Sequence, residues 1–169
     1  MSRIRTLRDD TGQFSAAAMV RWPLPPLMQK ALEQAAKAAC AGEVPIGAVV
    51  VRGGEVIAVA HNAPRRLKDP TAHAEVLAIR AAAQALGRER LDGCDLWVTL
   101  EPCAMCAGAI VHARIDRVYY AAPDPKGGAV EHGAKVFDQP TCLHRPEVYS
   151  GMGENESADL LRGFFRERR

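Results

Sequence analysis

No run of apolar residues in this 169-residue chain approaches the roughly 20 needed to cross a bilayer, which argues against a membrane span. Cysteine is sparse, and its count of five is odd. With no signal peptide ahead of it, that count argues against a disulfide framework and for a reducing compartment, the cytoplasm. Strong charge of either sign is also missing. A net charge of +2 permits an anionic partner without demanding one. Apolar residues make up 48% and charged residues 25%, enough of the former for one ordinary globular core.

The chemistry is concentrated in two short stretches, His73-Ala-Glu75 and Pro102-Cys-Ala-Met-Cys106. Together they offer an imidazole, two thiols and a carboxylate. A catalytic zinc takes three protein ligands and keeps a fourth position open for water, whose pKa it can lower to about 7. His73, Cys103 and Cys106 supply three ligands. Glu75 is then a spare carboxylate, placed to move protons rather than to bind metal. Asp69-Pro-Thr71 predicts one helix start and Glu101-Pro102 another. His73 and Glu75 would share the first turn of one helix, bracketing a metal beyond its end. Cys103 and Cys106, three apart, would face one way in the first turn of the other. Two positive helix ends would converge there and favour thiolate. Blander assignments fit less well. A redox Cys-x-x-Cys has no use for His-x-Glu, and a structural zinc needs a fourth ligand that the spacing does not offer. The combination H-x-E with P-C-x-x-C is the signature of zinc nucleobase deaminases.

Met1 to Pro26 carries scattered arginines, Asp9-Asp10 and a proline-rich end, and is expected to be a poorly ordered leader before a domain spanning 27–169. Leu27–Ala41 has helical periodicity, with Met28, Ala31, Leu32, Ala35, Ala36 and Ala39 on its apolar face. Ile46–Val51 predicts a buried strand, 52–55 a hairpin turn and Val56–His61 an antiparallel return. Residues 62–68 form a loop. A helix follows over Thr71–Leu86, then a strand over Leu96–Leu100. The helix from Cys103 to about His112 is apolar nearly all round, so it is expected at the centre. Arg117–Ala122 is a strand parallel to the one before that helix. A loop occupies 124–140, Glu147–Ser150 is a last short strand, and Asn155–Arg166 is a helix burying Ala158, Leu161, Phe164 and Phe165. Cys40, Cys94 and Cys142 are expected to be packing residues. Alternating helices and strands predict an α/β fold with helices on both faces of a mixed sheet.

The chain from about Leu27 to Arg168 resembles the cytidine deaminase superfamily and, within it, the bacterial tRNA-specific adenosine deaminases. The resemblance rests on Glu43-Val-Pro-Ile-Gly-Ala48, Asn62, Asp69-Pro-Thr-Ala-His-Ala-Glu75, Val98-Thr-Leu-Glu-Pro-Cys-Ala-Met-Cys-Ala-Gly-Ala109, His112-Ala-Arg114 and Phe164-Phe-Arg166. It implies a three-layer α/β/α sandwich around a five-stranded mixed sheet, a homodimer, and one zinc per subunit. It also implies conversion of the wobble adenosine of a tRNA anticodon arm, typically of an arginine tRNA, to inosine. By position it makes His73, Cys103 and Cys106 the zinc ligands and Glu75 the proton shuttle. Asn62 would contact the nucleoside, Val44 and Pro45 would line the base pocket, and the Ala104 backbone would floor it. Asp124 would hold the neighbouring nucleotide.

The chain departs from the family pattern near the expected substrate entrance, where Gly128-Ala129 replaces a Gly-Ser pair and Leu143 precedes His144-Arg145 in place of Asn. A second hypothesis therefore stays open, a deaminase of a free nucleobase or nucleoside of the guanine or cytosine type. A third, a zinc-dependent interaction module, has no use for Glu75. The candidate RNA contacts are Arg65, Arg66 and Lys68 before the catalytic helix, and Arg166 and Arg168 at the end. Each cluster is equally compatible with an ordinary solvated face. Phe164-Phe165 could stack on bases, but at helical spacing with Leu161 the pair is more often core.

Overall fold

The computed structural model describes residues 23–168, so the leader expected over 1–26 lies almost wholly outside the described residues. The first helix, α1 (Pro26–Cys40), begins with proline at its first position, where the missing N–H costs nothing. It buries Met28, Ala31, Gln34, Ala35 and Ala38, a face turned from the expected one, with Ala36 exposed and Gln34 inside. The strands β1 (Gly47–Arg52) and β2 (Glu55–His61) form the expected hairpin. α1 rides directly on the start of β1. A Cβ on Gly47 would lie 2.0 Å from the Ala31 carbonyl oxygen and 2.5 Å from the Ala35 nitrogen, so only glycine permits this approach.

Next come a short helix α2 (Pro64–Leu67) where a loop was expected, α3 (Ala74–Leu86), β3 (Cys94–Leu100), α4 (Ala104–Ala113), β4 (Arg117–Ala122), β5 (Glu147–Ser150) and α5 (Glu154–Arg166). The five strands make one mixed sheet in the order β2-β1-β3-β4-β5. β1 is antiparallel to both neighbours, while β3, β4 and β5 are parallel. Successive side chains on the central strands point to opposite faces, and both faces are dry. Ala48, Val50, Leu96, Val98, Val118 and Tyr120 pack against α3 and α4. Val49, Val51, Trp97 and Ala121 pack against Met28 and Ala31 of α1. On this second face Ser157 of α5 donates its hydroxyl to the Thr99 carbonyl, and a stacked ladder of Trp97, Tyr119 and Tyr149 crosses β3, β4 and β5. The expected three-layer sandwich is therefore present.

Three local expectations need correction. α4 is not enclosed: Ala104, Met105 and His112 are exposed along one side, because only its Cys106, Ala107, Ile110 and Ala113 side meets the sheet layer. In α5 Phe164 is buried but Phe165 is 50% exposed, since the two rings project about 100° apart and only one can face inward. Among the packing cysteines, Cys94 is buried in the core and Cys142 half-buried, but Cys40 is exposed at the end of α1.

Candidate active site and metal centre

Both halves of the donor set sit at helix starts, but α3 begins three residues later than expected and α4 one residue later. Asp69 and Thr71 do not open α3. They form a separate turn, in which the Asp69 Oδ1 accepts the Thr71 N–H at 2.8 Å and its hydroxyl at 2.7 Å. α3 begins at Ala74, which leaves His73 in extended backbone just before it and Glu75 in its first turn. Cys103 likewise precedes α4 in extended backbone, and Cys106 lies in the first turn.

The His73 Nδ1 lies 3.7 Å from the Cys103 Sγ and 3.5 Å from the Cys106 Sγ. The three donor atoms fall within 4.8 Å of one another. Tetrahedral zinc with Zn–N near 2.05 Å and Zn–S near 2.3 Å sets N···S at about 3.6 Å, so the donors fit such an ion as they stand. The neighbouring Cys106 sulfur holds the Cys103 thiol down at about 5, and the same contact pushes the Cys106 thiol up. Backbone N–H groups of the first turn of α4 also favour the Cys103 thiolate.

Glu75 is buried beside this cluster. Burial, assisted by the Cys103 thiolate, raises its carboxyl to about 7. A divalent cation held by the cluster would pull it back down. It is a buried acid beside the donor set and outside it, as a proton shuttle requires.

Asn62 is buried at the end of β2, and its Oδ1 accepts the N–H of Ala74 at 2.8 Å. This satisfies one of the orphan donors at the start of α3 and fixes the helix end that carries His73 and Glu75. The turn containing half-buried Val44 and buried Pro45 is tied to it, because the Ile46 carbonyl accepts the Asn62 N–H at 3.0 Å. Ala104 opens α4 between the two cysteines and is exposed. Asp124 follows β4, and its Oδ1 accepts the N–H groups of Lys126 at 3.1 Å and Gly127 at 3.0 Å.

The basic residues fall into separate layers. Arg65 and Arg66 lie on α2 and Lys68 caps it in left-handed backbone, all exposed near the start of α3. Arg166 ends α5, and the Arg168 guanidinium is already stacked over the Phe164 ring at 3.7 Å.

Two buried acids escaped the sequence reasoning. Glu43 accepts the Arg66 N–H at 2.8 Å and so anchors the basic helix α2. Glu101, taken only as part of a helix start, is the hub of the loop after β4. Its Oε1 accepts the N–H groups of Val130 at 3.1 Å, Glu131 at 2.9 Å and His132 at 3.0 Å. Its Oε2 meets the Asp124 N–H at 2.9 Å and the His132 Nδ1 at 2.7 Å. Burial opposes its ionisation, yet these donors overcome that and hold it at about 2. An acid placed directly after an apolar strand was the available signal.

A mixed sheet with two helix starts converging on His, Cys, Cys and an unliganded Glu defines a deaminase domain, and the MafB19-like deaminase family profile matches residues 25–169. Over 142 residues the chain is 61% identical to the tRNA-specific adenosine deaminase of Agrobacterium fabrum (strain C58), covering 84% of this chain and 93% of that one. A structure from a study of A-to-I editing by tRNA:A34 deaminases superposes with a TM-score of 0.79 at 60% identity, over 80% of this chain and 98% of that one. The chain belongs to the bacterial tRNA-specific adenosine deaminase family. A guanine deaminase from Bacillus subtilis shares the fold with a TM-score of 0.58 at 40% identity, over 73% of this chain and 82% of that one.

Proposed function

We propose that this protein hydrolyses the wobble adenosine of a tRNA anticodon arm, an arginine tRNA first among candidates, to inosine and ammonia. The observation that carries the proposal is the buried Glu75 beside a three-donor cluster, in a chain that is a close relative of tRNA adenosine deaminases. His73, Cys103 and Cys106 would hold one zinc per subunit. When bound, zinc supplies a Lewis acid that makes water a nucleophile near neutral pH.

The target base is splayed out of a loop that is already single-stranded, so little stacking is lost. Glu75 takes a proton from the attacking water and delivers it to ring N1, which makes C6 electrophilic. It then takes the second proton from the hydroxyl now on C6 and passes it to the departing amino group, so that ammonia leaves and the C6 carbonyl forms. One carboxyl serves as base and then acid, which its position off the donor set allows. The Asn62 Oδ1 is committed to Ala74, so its amide N–H₂ is the group that faces the nucleoside. Val44 and Pro45 wall the base, the Ala104 backbone floors it, and Asp124 holds the adjacent nucleotide. Arg65, Arg66 and Lys68 meet the phosphates nearest the catalytic helix, with Arg166 as a second contact and Arg168 a weaker one.

The functional unit spans 27–169, acts in the cytoplasm and is a homodimer. Support for pairing comes from the uncovered side of α4, where Met105 is 37% exposed. Beside it Gly108, Val111 and Cys142 line a groove of about 270 Å³ under Leu143, which is 81% exposed. A free-base deaminase is the second reading; the guanine deaminase neighbour and the altered stretch at Gly128-Ala129 favour it.

The test is inosine formation in an arginine anticodon stem-loop bearing a wobble adenosine, with free adenosine, guanine and cytidine in parallel. Inosine in the stem-loop that disappears in Glu75→Gln, with zinc content unchanged, supports the proposal. Ammonia from a free base alone overturns it.

A further inference from the structure

Glu101 directly follows β3, two residues before Cys103, and its side chain is wholly shielded from solvent. The carboxylate spans two separate parts of that loop. One oxygen gathers three consecutive N–H groups, Val130 to His132; the other takes the N–H of Asp124. Gly128 is kept small by the same carboxylate, since a Cβ there would lie 2.4 Å from the Glu101 Cδ and 2.5 Å from the Asp124 carbonyl oxygen. Asp124 has its own Oδ1 tied up in a turn, so its placement depends on its backbone. The only side chain bonded to that backbone N–H, among the described residues, is Glu101.

We propose that Glu101 is a positioning residue for substrate grip: it sets Asp124 at the rim of the site and thereby governs binding of the nucleotide beside the target, without entering proton transfer. This rests on the tRNA-deaminase reading above. The chemistry of the substitution Glu101→Gln makes it specific. A glutamine can turn its oxygen toward the three N–H groups of 130–132, where an acceptor is essential. Its NH₂ then faces the His132 Nδ1, which the neutral imidazole accepts, and the Asp124 N–H, which it cannot bond. The variant therefore keeps most of the loop and releases Asp124.

The experiment measures kcat, KM and bound zinc for the full chain with the anticodon stem-loop. Glu101→Gln is expected to raise KM about tenfold, the loss of one charge-assisted hydrogen bond, with kcat within about twofold and zinc at one per chain. Asp124→Ala is expected to raise KM similarly. The double variant should be no worse than either single one, because both act through the same nucleotide. Gly128→Ala, which pushes on the carboxylate from the other side, should also raise KM and serves as the independent variant. Loss of zinc and kcat together in both Glu101→Gln and Gly128→Ala would mean that the carboxylate holds the metal helix instead, and overturns the proposal. So would an unchanged KM in Glu101→Gln, or additive effects in the double variant. Failure of the wild-type chain to form inosine refutes the functional reading itself, an outcome distinct from each of these.

Discussion

Asn62 holds the start of α3 with one atom and, in the proposed mechanism, the nucleoside with another, and substitution separates the two. Its Oδ1 accepts the N–H of Ala74 at 2.8 Å, and Ala74 has no solvent exposure. Asn62→Ala leaves that buried donor without a partner at a cost of about 1–3 kcal/mol. In a chain of this size each kcal/mol is worth about 2–4 °C, so Tm should fall by about 2–12 °C. Asn62→Asp retains the acceptor, and a negative charge is favoured at a helix N-terminus, so Tm should stay within about 2 °C of wild type. Both variants lose the amide donor. Both should lose about a hundredfold or more in kcat/KM on the stem-loop, the usual cost of one directed donor in an active site. Thermal unfolding followed by circular dichroism, with the inosine assay alongside, reads the two effects separately. An Asp variant as unstable as the Ala variant would refute the capping argument. An Asp variant with near wild-type turnover would refute the assignment of the amide to the substrate.

Gly47→Ala should cost about 1–3 kcal/mol, because its Cβ would meet α1 backbone atoms rather than a yielding side chain; a denaturant midpoint equal to wild type would count against this. Phe164→Ala should lower stability by about 3–5 kcal/mol, while Phe165→Ala should stay within about 0.5 kcal/mol; a calorimetric scan of both variants decides. Replacing Arg65 and Arg66 by alanine should weaken stem-loop binding and reduce the slope of log affinity against log salt by about 1–2; an unchanged slope would make them an ordinary solvated face. Glu75→Gln should abolish deamination while zinc stays bound; a variant that loses its zinc would make Glu75 a ligand rather than a shuttle.

What could be read from the sequence was governed by locality. β4 and β5 end where the apolar alternation ends, at the predicted residues. The clustering of His73, Cys103 and Cys106 was legible because their spacing is a local property of two helix starts. Asp69-Pro-Thr71 misled by one physical coincidence: an Asp whose side chain caps its own turn carries the same residues as a helix cap. Glu101 was legible as an acid after an apolar strand, but its partners were not, for the opposite reason. They lie 23 to 31 positions further along, where local spacing says nothing of which groups come back to it. The open side of α4 was hidden because an apolar helix reads the same in sequence whether or not the rest of the fold encloses it.

The parallel pairing of β3 with β4 aligns Leu100 with Ala122, so the chain leaves both strands at the same edge. One exit leads into the cysteines and the other into the long connection that ends at β5. An inserted segment in that connection need not move the sheet, and doubling its length costs only about 0.6 kcal/mol of closure entropy. Descent with modification can therefore rewrite which molecule is admitted while the hydrolytic apparatus is inherited unaltered, and a purine-base enzyme sharing this scaffold is the kind of cousin such a layout permits.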